Sequence, residues 1–191
     1  MRRLAAFIVG ICLPLPALAA APAVNAWDLS AKDGFALHRA SRLSFPAEVP
    51  GAKRSGTVAK PAPAIMYAGD QFPSQIAFTL TLARQQGTPA AALQRALTRE
   101  RRMRSRLRVD QSGPVRLGVG EVDVDGSAAV VGWSEGKKEM GAWLLVLPSG
   151  SYLIRVRAAY ERGANGIESG WRLRATFNQI ATILRTIRRA D

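Results

Sequence analysis

The stretch MGAWLLVLPSGSYLIRVRAAY, residues 140–160, has the pattern of two β-strands joined by a tight turn. The segment PSGS consists of residues that favour turns, and apolar residues dominate both arms. The second arm alternates, with Tyr152, Ile154, Val156, Ala158 and Tyr160 on one face and Leu153, Arg155, Arg157 and Ala159 on the other. Because successive side chains of a strand point to opposite faces, this arm predicts an antiparallel sheet with one covered and one partly wet face.

Two further stretches show the same alternation. QIAFTLTLAR, residues 75–84, alternates apolar residues with Ala and Thr and predicts a strand. VRLGVGEVDVDGSAAVVGW, residues 115–133, predicts a second hairpin, with the dipeptide Asp125-Gly126 as its turn. The acidic residues around this dipeptide resemble a calcium loop, but Gly132 stands at the twelfth position, where that loop needs a glutamate. We therefore favour a turn over a calcium site.

Two segments predict helices, one at about 88–108 and one at about 170–189. Thr88 suits the N-cap of the first helix, and Pro89 suits its first turn. The second helix shows apolar residues at spacings of three and four, namely Leu173, Phe177, Ile180, Leu184 and Ile187. A basic amphipathic helix can lie on a membrane, but this apolar stripe is wide enough to cover a sheet. We expect an α+β domain over 34–191, with about six to seven antiparallel strands packed by the two long helices.

The first predicted helix carries an unusual density of arginine. Residues 93–109, LQRALTRERRMRSRLRV, contain seven arginines and a single glutamate, Glu100. Four of the arginines recur at spacings of 4, 3 and 4, namely Arg95, Arg99, Arg102 and Arg106, and would form one stripe on a helix. Like charges along one face repel one another, so these four residues are candidates for binding an anion. Arg155 and Arg157 are weaker candidates, because a solvated strand face explains them equally well.

The first residues predict export. Residues 1–19 have a basic start, an apolar run and an A-x-A pattern ending at Ala19, as in a secretory signal peptide. The run is shorter than the roughly 20 residues of a membrane span and is interrupted by two prolines. We expect cleavage near Ala19, a flexible lead over 20–33, and a mature chain in the periplasm or outside the cell, without a transmembrane segment. The formal net charge of +13 would fall by two with Arg2 and Arg3, to about +11.

The sequence offers little for catalysis or metal binding. Cys12 lies in the predicted signal peptide and is the single cysteine, so a thiol site is excluded in the mature form. His38 is the single histidine and lies in a polar segment with no ligand cluster around it. No nucleophile motif such as G-x-S-x-G is present. We predict no catalytic residue, no cofactor and no metal site.

Two stretches carry a resemblance to known proteins. LSFPAEVPGAKR followed by QIAFTLTLAR, and GSYLIRVRAAY before the last predicted helix, resemble uncharacterised exported bacterial proteins with the α/β sandwich of PsbP-like and DcrB-like proteins. The resemblance covers most of the mature chain. It implies a fold and an envelope location, and it transfers no catalytic or binding residues.

Three classes of function stay open. The first is a non-catalytic periplasmic domain that binds a protein or small ligand, or supports an envelope assembly. The second is a binder of anionic envelope surfaces, such as phospholipid or lipopolysaccharide, through the arginine stripe. The third is an enzyme of unidentified class. Export argues against nucleic acid as a partner, although the basic composition alone would favour it.

Overall fold

The fold is built mainly from antiparallel strands. The computed structural model describes residues 26–29, 34–58, 63–69 and 76–189. The predicted signal peptide, and residues 20–25 and 30–33 of the predicted lead, lie outside the described residues. The strands are β1 (Trp27–Asp28), β2 (Ala36–His38), β3 (Leu43–Phe45), β4 (Glu48–Val49), β5 (Ala52–Val58), β6 (Ala64–Gly69), β7 (Ile76–Arg84), β8 (Arg108–Val119), β9 (Val122–Glu135), β10 (Lys138–Ser149), β11 (Tyr152–Glu161) and β12 (Arg188–Arg189). The helices are α1 (Pro89–Met103) and α2 (Gly166–Arg185).

The strands form two sheets. The larger sheet has eight strands in the order β4-β5-β6-β7-β11-β10-β9-β8, and the smaller has four in the order β1-β2-β3-β12. Strand accounts for 54% and helix for 23% of the described residues. The α+β prediction of six to seven strands packed by two long helices is therefore wrong. The small sheet uses strands of two or three residues, which are too short to show an alternating pattern.

The strong alternation in the sequence does mark the centre of the large sheet. β11 pairs with β10 and with β7, and the turn between β10 and β11 lies at Gly150–Ser151, within the predicted PSGS segment. Phe78, Leu80, Ile154 and Val156 are buried on one face of the sheet. They belong to a core that α2 completes with Ile180, Ile183 and Leu184. α2 therefore packs on this face of the sheet.

The opposite face of the sheet holds a smaller core under α1. Ala92, Leu93 and Leu97 of α1 are buried there. Their partners lie mainly on the central strands, and include Ala129, Val131, Leu144, Val146 and Leu153. The large sheet thus has a helix on each face, and the two faces have separate cores.

Both helices differ in length or position from the prediction. Thr88 caps α1 as expected, because its Oγ1 accepts a hydrogen bond from the Ala91 amide. However, α1 ends at Met103, and the chain enters β8 at Arg108, where pairing with β9 replaces the helix. α2 begins earlier than expected, at Gly166, with Asn165 as its N-cap. It ends at Arg185, because Arg188–Arg189 pair with β3 in the small sheet.

The predicted turn at Asp125-Gly126 is wrong. β8 and β9 are joined at Gly120–Glu121, where Gly120 adopts a positive φ of 61° that suits a tight hairpin turn. Gly126 lies inside β9, and a Cβ atom there would be 2.5 Å from the Val146 carbonyl oxygen. This glycine therefore serves close packing between strands and does not form a turn.

Trp27 and Asp28, which lie within the predicted lead, form β1 of the small sheet. Trp27 in β1 is only 2% exposed and contacts His38 and Phe45 edge-on. Its indole Nε1 donates a hydrogen bond to the Val58 carbonyl oxygen at 3.1 Å. Trp27 thereby fixes the small sheet against β5 of the large sheet.

Candidate functional site

The arginines of α1 lie on the side of the helix that faces away from its core. Arg95, Arg99 and Arg102 are all exposed, and spacings of four and three place them along one side of the helix. Arg95 also donates a hydrogen bond from Nη2 to the Gln86 carbonyl oxygen at 2.9 Å. Three of the four predicted stripe residues are thus brought together on α1.

Arg106 does not continue the stripe. It lies beyond the last residue of α1 and adopts a positive φ of 62° in the connection to β8. It is exposed, as is Arg101 on another side of the helix. The exposed cations near the end of α1 therefore spread around the helix terminus and do not follow one line.

Glu100 points in the opposite direction from these arginines. It is only 5% exposed, although it is charged, and it lies on the same side of α1 as Leu93 and Leu97. Its Oε1 accepts a hydrogen bond from Arg157 Nε at 2.9 Å, and its Oε2 pairs with Arg104 Nη1. The single carboxylate of α1 is thus fully engaged with two arginines on the sheet side.

An indole ring completes this buried group. The Arg104 guanidinium lies 4.5 Å from the centroid of the Trp133 ring, and the Arg157 guanidinium lies 5.7 Å from it. Both distances suit attraction between a cation and an aromatic face. We call Glu100, Arg104, Arg157 and Trp133 the Glu100 cluster. It links α1 to β9 and β11, so Arg157 has a structural role that the sequence did not indicate.

The positive charges on the outward side of α1 are not balanced by acidic partners among the described residues. In the described part of the chain, no ion pair includes Arg95, Arg99 or Arg102. Uncompensated exposed cations raise the local positive potential and attract anions. This surface, Arg95, Arg99 and Arg102, is the α1 arginine face.

Arg155 lies next to the α1 arginine face but is held differently from Arg157. Its Nε is buried and has no hydrogen-bond partner among the described residues. Burial lowers the pKa of Arg155, and the nearby charge of Arg95 lowers it further. Its cross-strand neighbours are Thr81 on β7 and Val146 on β10. Arg95 and Arg155, predicted from separate parts of the sequence, thus come within electrostatic range of each other.

Sequence reasoning missed Glu100 and Trp133. Glu100 follows Leu93, Ala96 and Leu97 at spacings of seven, four and three, so its position on the apolar side was a signal of burial. Trp133 gave no such signal, because it looked like any apolar strand residue.

A separate depression of about 650 Å³ lies where the β8–β9 and β10–β11 turns meet the small sheet. Val119, Val124, Leu43 and Ile187 form apolar parts of its lining, together with Arg188 and Arg189. None of its lining residues belongs to α1. Among the described residues, no three His, Cys, Asp or Glu side chains are grouped as a metal site would require.

No family model matches this chain, and no curated protein matches it in sequence. Among solved structures, it is similar to LpqN, whose crystal structure is described as that of a protein involved in cell envelope biogenesis of Mycobacterium tuberculosis. The two share 18% sequence identity and a TM-score of 0.43, over 76% of this chain and 81% of LpqN. LpqN is therefore a weak structural neighbour of this chain. Neither described helix has an apolar run sufficient to cross a bilayer.

Proposed function

We propose that this chain is a non-catalytic exported domain of the cell envelope that binds anionic surfaces through the α1 arginine face. The observation that carries the proposal is the direction of Glu100. The only acid of α1 is buried and paired with Arg104 and Arg157, so every charged residue on the outward side of the helix is positive. Export from the cytosol, which the first 19 residues predict, would bring this surface to phospholipid headgroups and lipopolysaccharide.

The test is cosedimentation of the mature chain, from residue 20, with vesicles that contain phosphatidylglycerol or only phosphatidylcholine. We expect binding to the anionic vesicles alone, and weaker binding as salt rises, because the screening length is about 8–10 Å near 0.1–0.15 M salt. Each arginine near an anionic surface contributes about 1 kcal/mol. The triple variant R95E/R99E/R102E should therefore bind at least about 100-fold more weakly.

A matched control separates this surface from net charge alone. The variant R116E/K137E/R174E reverses three exposed cations that lie outside α1, and none of them has an ion pair among the described residues. It changes the net charge by the same amount and should keep most of the vesicle binding. Equal losses in both triple variants, or no binding by the parent, would contradict the proposal.

A second candidate function is docking of an envelope protein on α2. Ile167 and Trp171 lie one helical turn apart and are 81% and 73% exposed. Large apolar side chains at such exposure are frequent in protein interfaces. A photo-crosslinking residue placed at position 171 should then give one discrete adduct with an envelope protein, whereas the same residue at Arg116 should give none. The absence of any adduct at position 171 would exclude this candidate.

A further inference from the structure

The two arginines of β11 that face α1 differ in whether they have an acidic partner. Side chains two residues apart on a strand point to the same face, so Arg155 and Arg157 lie on the same side of the sheet. Arg157 has a carboxylate partner in Glu100 at 2.9 Å. Arg155 has no ion pair among the described residues, and beside its burial the charge of another cation, Arg95, lowers its pKa.

The side chain of Arg155 is therefore incompletely satisfied. Its Nε is shielded from solvent and has no acceptor among the described residues. A buried polar group without a hydrogen bond is rare in folded proteins, and a charged donor in this state is costly. Arg95 on α1 donates to the Gln86 carbonyl oxygen, and its charge also acts on Arg155, so a second cation lies within electrostatic range of the donor that lacks an acceptor. A bound anion would supply both the acceptor and the missing negative charge.

We propose that Arg155 and Arg95, with the hydroxyl of Thr81, bind one phosphate-type oxyanion beside α1. Arg155 would donate from Nε and one terminal nitrogen, the paired geometry in which guanidinium groups bind phosphate. Thr81 is the direct cross-strand neighbour of Arg155, and such neighbours have Cβ atoms about 4.5–5.5 Å apart, close enough for its hydroxyl to reach the same oxyanion. The inference rests on the proposed function, because it names the point at which an anionic surface would place a phosphate.

The site can be tested on the mature chain with inorganic phosphate as the probe. The Nε–H groups of arginines give separate nitrogen–proton signals in NMR spectra, so each site can be followed individually. Phosphate is added in steps at constant ionic strength. We expect the Arg155 Nε–H signal to shift along a saturable curve. The signal of exposed Arg116, on β8, should change only slightly and without saturation.

Two substitutions test the assigned residues independently. R155Q should weaken phosphate binding at least tenfold, and R95Q should do the same from an exposed position where folding is not at risk. The control R116Q should bind as the parent does. A linear titration for the parent, or equal affinity in R95Q and the parent, would overturn the site even if R155Q failed to fold.

A competition experiment distinguishes a lipid headgroup from a free anion. If the site holds a headgroup phosphate, saturating inorganic phosphate should compete for it and reduce binding to phosphatidylglycerol vesicles. A chloride salt at the same ionic strength should reduce this binding less. If it holds a free oxyanion, vesicle binding should be unaffected, while the saturable phosphate titration persists. The two proposals can be refuted independently. Absence of vesicle binding by the parent protein would refute the function proposed for the α1 arginine face, whereas a phosphate titration without saturation would refute the oxyanion site.

Discussion

Glu100 on α1 accepts a hydrogen bond from Arg157 on β11 at 2.9 Å across 57 residues of sequence. The same carboxylate pairs with Arg104 at the end of α1. Glu100 is buried, whereas its two partners are partly exposed. One acid thus holds the helix to the sheet and leaves the outward arginines without a counter-charge.

Replacing this acid by its neutral isostere should destabilise the fold. E100Q leaves Arg104 and Arg157 against the sheet without a negative partner, and removing one member of a buried ion pair is strongly destabilising. Because the arginines are partly exposed, we expect a loss of about 2–4 kcal/mol in the free energy of unfolding, measured by urea denaturation.

The control is E121Q, at an exposed acid of the β8–β9 turn, which should change the free energy of unfolding by less than about 0.5 kcal/mol. The double variant E100Q/R157Q should be more stable than the sum of the single losses predicts, since it removes both charges of the pair. An E100Q protein as stable as the parent would show that the Glu100 cluster is not structural.

The Glu100 cluster illustrates what the sequence could not provide. Helical spacing located the α1 arginine face correctly for Arg95, Arg99 and Arg102. Arg157, the partner of Glu100 on the sheet, lies on β11, and three strands separate β11 from α1 along the chain. No local sequence pattern connects the two residues. Arg155 and Arg157 have identical local patterns, and only the tertiary position of Glu100 makes one of them structural.

Acidification should weaken the small sheet through His38. Burial lowers the pKa of His38, which is 3% exposed. Its Nδ1 accepts a hydrogen bond from the Ser41 amide at 3.2 Å, so protonation of Nδ1 would break this contact. The unfolded chain takes up the proton near pH 6.5, above the folded pKa. The free energy of unfolding should therefore be fully retained above about pH 6.5 and fall as pH drops from there toward the folded pKa.

The measurement is the free energy of unfolding from urea denaturation across pH 5–8. His38 is the only histidine of the chain, so H38Q should remove most of the slope in this range whatever its effect on stability at pH 8. If parent and H38Q show equal slopes, the titrating group lies elsewhere.

Two glycines in neighbouring strands should respond oppositely to alanine. A Cβ at Gly126 would lie 2.5 Å from the Val146 carbonyl oxygen and 2.6 Å from Leu147 Cδ2. Crowding of this kind costs about 1–3 kcal/mol, so G126A should lower the thermal midpoint measured by circular dichroism. At Gly113 a Cβ meets nothing within 4 Å. G113A should leave the midpoint unchanged or raise it slightly, and similar losses in both variants would refute the close-packing role of Gly126.

Gly126 also explains why the sequence pattern predicts the hairpin turn at the wrong position. Asp-Gly is a strong turn signal, but the same glycine is required wherever a strand passes close to another backbone. The actual turn uses Gly120, which stands in an equally apolar context. The central strands were predictable because both of their faces are constrained by burial. The short strands of the small sheet are fixed by long-range contacts such as that of Trp27.

Tryptophan fluorescence should report the exposed side of α2. Trp171 is 73% exposed, whereas Trp27 and Trp133 are buried and Trp143 is partly buried. W171F should remove most of the emission that acrylamide quenches and shift the remaining emission to shorter wavelength. The matched variant W143F should keep the quenchable component, and the reverse result would contradict the described orientation of α2.

The order of the eight-stranded sheet has a consequence for folding rate. β4 to β7 are neighbours in sequence and in space, and so are β8 to β11, but the two sets meet only along the ladder between β7 and β11, from Ala77↔Ala159 to Arg84↔Tyr152. Closing that ladder requires α1 and three intervening strands to be looped out, an entropic cost that local hairpins do not carry. We therefore expect the meeting of β7 and β11 to be slower than the formation of either set of hairpins, and to set the pace at which the large sheet assembles.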